Sequence, residues 1–156
     1  MAERGITFAV GSMTSRESAA FSSSSEDQAG ECSFKVDFHP AEIRATQMRQ
    51  ITRDQLSQWD LTTLIDDATL VVSELVTNAV KHGKGRPVRL RVRRFADELR
   101  IEVTDGTSTP ARLRSAGLAD ENGRGLLLVA GVAKEWGVSR DGTMTWCSLT
   151  IPDEAS

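Results

Sequence analysis

Between Leu61 and His82, apolar residues return at the spacing of an α-helix, and this stretch constrains the fold more than any other. Leu64, Ala68, Val71, Val72, Leu75, Val76, Ala79 and Val80 fall on one half of a helical wheel. Asp67, Glu74, Thr77, Asn78 and Lys81 gather on the other half. Such a helix must lay its apolar half against a sheet or another helix, and the flanking sequence offers both.

Upstream, Phe34, Val36 and Phe38 alternate with Lys35 and Asp37, the period of a half-buried strand. His39-Pro40 closes that strand and opens a first helix, expected over Ala41 to Trp59. Downstream, Gly83 and Gly85 stand where C-cap glycines end a helix. Val88, Leu90, Val92 and then Leu99, Ile101, Val103 form two alternating runs joined at Ala96-Asp97-Glu98, which read as an antiparallel hairpin. Residues 107–122, rich in Thr, Ser, Pro, Arg and Gly, read as a loop. A third helix is expected from Leu126 to Ala133. Two strands follow, around Trp136–Arg140 and Thr143–Ile151, joined by Asp141-Gly142 as a type I′ turn. This order predicts an α+β sandwich, a mainly antiparallel sheet covered on one face by about three helices.

With 156 residues the chain has room for one domain, and its 39% hydrophobic content plus 12 glycines is that of a globular protein. The run Ser22-Ser23-Ser24-Ser25-Glu26-Asp27-Gln28 marks residues 1–31 as a flexible Ser-rich tail, leaving a domain over 32–152 and a short C-terminal tail over 153–156. A net charge of −3 argues against direct nucleic-acid binding. Cys32 and Cys147 show no C-x-x-C or histidine partner, as expected of free thiols in a reducing cytoplasm. No window resembles a signal peptide or membrane span.

Three sites carry possible chemistry. Glu74 and Asn78, four residues apart, share one helix face. A carboxylate beside an amide oxygen suits a magnesium–phosphate site, since the ion takes hard oxygen ligands and keeps waters that a carboxylate can orient. Taken alone, the pair fits a solvated helix face at least as well. Asp105, at the end of an apolar strand and followed by Gly106, can accept a hydrogen bond from an adenine amino group, or simply start a turn. Gly123-Arg124-Gly125 directly precedes a helix, so its amides can hold phosphate. The Walker P-loop is absent, and Leu128 stands where a dinucleotide fingerprint needs glycine. Gly83-Lys84-Gly85-Arg86 follows a helix C-terminus, whose dipole repels anions, and reads as a capped turn.

In order, Glu74 to His82, then Val103-Thr104-Asp105-Gly106-Thr107, then Gly123-Arg124-Gly125-Leu126 resemble the N box and two glycine boxes of the GHKL ATPase superfamily. Over roughly Phe34 to Ile151 the chain is similar to the stand-alone bacterial anti-sigma-factor serine/threonine kinases that act by partner switching. The resemblance implies a Bergerat-type, histidine-kinase-like ATPase fold. It makes Asn78 the magnesium ligand, Glu74 the general base, and Asp105 the adenine contact. Gly123 and Gly125 become phosphate and lid glycines, with Thr77 and Arg124 as neighbouring phosphate-side contacts and Gly106, Thr107 and Leu126 completing the boxes. Its implied cofactors are ATP and magnesium. Its implied partners are an anti-sigma-factor antagonist, a sigma factor, and a second copy of the chain.

Two positions depart from the family pattern. Thr107 replaces the usual glycine or serine, and Gln47 stands where the first helix commonly has arginine, with Arg44 and Arg49 nearby. A binding module without catalysis is the competing expectation, with Arg89, Arg91 and Arg93 alternating on one strand face toward an acidic partner. The only histidines, His39 and His82, lie outside any dimerising phosphoacceptor helix.

Overall fold

The computed structural model describes residues 21–24, 32–105 and 128–152. Its strands are β1 (Phe21–Ser24), β2 (Cys32–Phe38), β3 (Val88–Arg94), β4 (Glu98–Thr104), β5 (Glu135–Val138) and β6 (Met144–Thr150). They form one sheet in the order β1-β2-β3-β4-β6-β5, and every described pairing is antiparallel. The helices are α1 (Arg44–Gln58) and α2 (Ile65–His82), with a further helical stretch over 128–132. The expected α+β architecture holds. Strand pairing also reaches Phe21–Ser24, inside the stretch assigned to the tail, so the sheet starts earlier than Cys32.

Alternation explains the two faces of the sheet. Phe34, Val36, Leu90, Val92, Ile101, Val103 and Leu149 are buried, whereas the intervening positions carry charge or hydroxyls. Val71, Val72, Leu75 and Val76 of α2 join that apolar face, while the helix keeps Asp66 and Asp67 in its first turn and Lys81 and His82 in its last, matching its dipole.

The end of α1 shows why the second helix does not begin at Leu61. Asp60 adopts φ 60°, the Leu61 N–H donates to the Leu56 carbonyl at 2.9 Å, and the Asp60 N–H donates to Ser57 at 3.2 Å. This is a Schellman cap with aspartate in the left-handed position usually held by glycine, sealed by buried Leu56 and Leu61. A single 3₁₀ turn, Thr62–Leu64, then leads into α2. At its start, α1 begins at Arg44 rather than Ala41, because residues 41–43 form a turn in which the Arg44 N–H donates to the Ala41 carbonyl.

Two turn assignments change. The left-handed residues after α2 are Lys84 and Gly85 (φ 55° and 77°), whereas the C-cap Gly83 has φ −82°. In the β5–β6 hairpin only Gly142 has positive φ, so the connection is not type I′, which requires positive φ at both central residues. The Asp141 carboxylate instead accepts from the Ser139 and Thr143 hydroxyls and the Thr143 N–H, building a longer loop closed by Ser139 N–H to Met144. Those bonds hold the Asp141 carboxyl below its usual range. Among the described residues no helix is long and apolar enough to cross a membrane.

Candidate nucleotide site

Glu74 and Asn78 project from α2 about 40° and about 6 Å apart along the axis, from helix geometry, and both are half-buried. The helix's other side is fixed by α1: Arg49 donates to the Ser73 hydroxyl at 3.0 Å, and Val80 shares a cavity with Glu42 and Ala45. Val80 lies about 160° around the helix from Asn78. Asn78 therefore lies on the side of α2 turned away from α1, whereas Glu74 sits only about 20° around the axis from Lys81, which lines that same cavity.

Asp105 immediately follows β4 and is only 8% exposed. Its N–H donates to the Thr143 carbonyl at 3.0 Å, extending the β4–β6 pairing by one residue. The same residue meets the end of α2, since a Cβ placed on Gly83 would stand 3.4 Å from the Asp105 Cβ. Gly83 lies about 7.5 Å further along the α2 axis than Asn78. Asp105, 27 residues from Asn78 in sequence, thus meets the C-terminal end of the helix that carries Glu74 and Asn78, at Gly83, which lies about 140° around the axis from Asn78.

Gly83 is the residue whose role sequence reasoning missed. It reads as a cap, but its hydrogen side chain is needed because a Cβ would fall 2.6 Å from the Ala79 carbonyl oxygen. A cap glycine and a contact glycine look alike in sequence. Thr77 opens elsewhere, onto the cavity of about 440 Å³ lined with Glu42, Ala45, Val80 and Lys81. A cavity of about 600 Å³ lined by Trp59, Asp60, Arg94 and Asp97 lies at the opposite end of β3 and β4 from Asp105 and takes no part in this site. Gly106, Thr107, Gly123, Arg124, Gly125 and Leu126 lie outside the described residues.

The region around Gln47 is occupied by a buried arginine. Arg44, 5% exposed, donates from Nη1 to the Gln47 Oε1 at 2.8 Å and from Nε to the His39 carbonyl at 2.8 Å. Its guanidinium thus ties α1 to the end of β2. Arg49 is the arginine that reaches α2, beside Glu74 at Ser73.

The antiparallel sheet with α2 packed on one face is consistent with a histidine-kinase-like ATPase fold. The family model for the histidine kinase-like ATPase domain matches residues 38–151, most of the chain, and the protein belongs to that family. A search of curated proteins gives no match.

Proposed function

We propose that this domain is an ATP-dependent serine/threonine protein kinase of the anti-sigma-factor type, acting on a small protein antagonist and regulating transcription by partner switching. Its support is the family match over residues 38–151 together with the contact of buried Asp105 with the end of the helix that carries Glu74 and Asn78.

In this reading the Asp105 carboxylate accepts from the adenine amino group, and the Asn78 side-chain oxygen holds magnesium. That hard oxygen donor, with a carboxylate one turn away, fits the ion. When bound, magnesium neutralises charge on the phosphate oxygens. Glu74 takes the proton from the acceptor serine or threonine hydroxyl as its oxygen bonds to the γ-phosphorus. The bond from that phosphorus to the β–γ bridging oxygen breaks, and ADP leaves. Gly123, Arg124 and Gly125, with Thr77, are assigned to the phosphate side, and Gly106, Thr107 and Leu126 to the walls of the nucleotide pocket.

The test is phosphate transfer from labelled ATP, with magnesium, to candidate antagonist proteins. Glu74→Ala should keep nucleotide affinity and lose about 10²–10⁴-fold in transfer rate, the usual contribution of a general base. Asn78→Ala should lose magnesium-dependent ATP binding. Equal transfer by the wild type and Glu74→Ala would remove Glu74 from the chemistry, and tight partner binding without transfer would make the protein a non-catalytic sequestering module.

A further inference from the structure

The sheet face opposite the helices carries a charge pattern that the ATP site does not use. Outward positions of β2, β3 and β4 hold Lys35, Arg89, Arg91, Arg93 and Arg100, a positive face on a chain of net charge −3. Register places basic residues directly opposite each other twice, Lys35 across from Arg91 and Arg93 across from Arg100, an arrangement that destabilises an isolated sheet. The carboxylates that β2 and β4 place on this face are already engaged. Asp37 pairs with Arg89 at 2.6 Å, and Glu98 meets Lys134 at 3.3 Å. A single oxygen of Glu102 serves both Arg93 at 2.6 Å and Arg100 at 2.8 Å. Arg91, half-exposed at the centre of β3, has no ion-pair or hydrogen-bond partner among the described residues.

An aromatic anchor stands beside this excess of donors. The Arg100 guanidinium stacks over the Trp146 ring at 4.4 Å, and the same ring packs on Gly137, where a Cβ would come within 3.1 Å. Trp146 is opposite Glu102 in register, so it borders the arginine cluster directly. Arginine and tryptophan on one surface are the side chains that most often dominate protein–protein contacts.

We propose that this sheet face docks an acidic segment of a partner protein, with Arg91 as the central charge contact and the Arg100–Trp146 stack as its apolar edge. The proposal goes beyond the kinase reading and holds whether or not phosphoryl transfer occurs. Four neighbouring strands of seven residues span about 19 by 23 Å, or about 440 Å². That is roughly half of what each partner contributes to a stable complex. The contact is therefore weak, fast and salt-dependent.

The experiment titrates the isotopically labelled full chain with a short polyglutamate peptide and follows its amide, arginine and indole NMR signals. Shifts at Arg91, Arg100 and the Trp146 indole are expected, with affinity falling as salt rises. Arg91→Glu should weaken binding at least about tenfold, and Arg91→Gln by less. Arg91→Gln should retain the wild-type thermal midpoint, and both variants the wild-type ATP affinity. Equal peptide affinity in Arg91→Glu, or shifts confined to the basic turn at Lys81–Arg86, would overturn the proposal. So would tighter binding at this face by a single-stranded oligonucleotide or anionic vesicles than by the peptide.

Discussion

Replacing Gly83 with alanine tests how the end of α2 sets the position of Asp105. The new methyl would sit 2.6 Å from the Ala79 carbonyl oxygen, roughly 0.8 Å inside the 3.4 Å at which ordinary contact begins, and already touches the Asp105 Cβ at 3.4 Å. A backbone oxygen cannot rotate away, so the helix end must shift, and Asp105, in contact with the new methyl, is expected to shift with it. Overpacking of this kind costs about 1–3 kcal/mol. Alanine also stiffens the unfolded chain, and because φ is −82° at Gly83, this returns about 0.4–1 kcal/mol. The steric cost wins, giving a net loss of about 1–2 kcal/mol and a thermal midpoint lower by roughly 3–8 °C. If Asp105 reads adenine, its displacement also weakens a charged hydrogen bond worth about 1.5–3 kcal/mol, or roughly 10–100-fold in ATP affinity. Guanine presents an acceptor at the corresponding position, so GTP binding should change little and the ATP:GTP preference should narrow. Calorimetric titration with both nucleotides, beside thermal unfolding, makes the measurement. A lowered midpoint with unchanged ATP affinity and unchanged nucleotide preference would refute the link from Gly83 through Asp105 to the base.

Gln55 and Thr52 lie on the buried face of α1, 1% and 0% exposed, and neither the Gln55 amide nor the Thr52 hydroxyl has a hydrogen-bond partner among the described residues. Gln55→Met keeps the volume and removes a desolvation penalty of about 1–3 kcal/mol, so the urea midpoint should rise; a fall would show that the amide is satisfied in solution. Cys147 is fully buried, and burial pushes its thiol from 9.0 up to about 12. Both folded and unfolded thiols are protonated below pH 9, but only the unfolded one ionises between 9 and 12. This site's contribution to stability should therefore decline across that window by up to about 1.4 kcal/mol per pH unit, and Cys147→Val should flatten the decline in urea titrations at stepped alkaline pH.

Local pattern made much of the fold legible. The period of α2 and the alternation in β2, β3, β4 and β6 require only that each element have one wet and one dry face. Their positions hold to within a few residues. The misread boundaries share a cause, because turns depend on backbone torsions that several residue types can adopt. Aspartate at position 60 took the left-handed role of glycine, Gly83 did not, and Asp141 built its loop with side-chain bonds. Phe21–Ser24 was hidden because an edge strand needs hydrogen bonds from a neighbour more than a pattern of its own. The buried polar face of α1 was equally hidden, since Thr52 and Gln55 look solvent-facing by type.

The sequence alone determined the helix, the strands and the residue types able to hold a nucleotide, because these follow from periods of 3.6 and 2 and from side-chain chemistry. It also aligned three arginines on one strand. Tertiary structure decided which of those groups meet. Packing α2 across the sheet carried Asp105 to Gly83, at the end of the helix that bears Glu74 and Asn78. Strand register put Asp37 opposite Arg89 and Glu102 opposite Arg91, yet the Glu102 carboxylate turns to Arg93 and Arg100, leaving Arg91 as the charge to be met. Distance along the chain carries no information about either outcome, since both depend on which faces are pressed together when the apolar surfaces leave water.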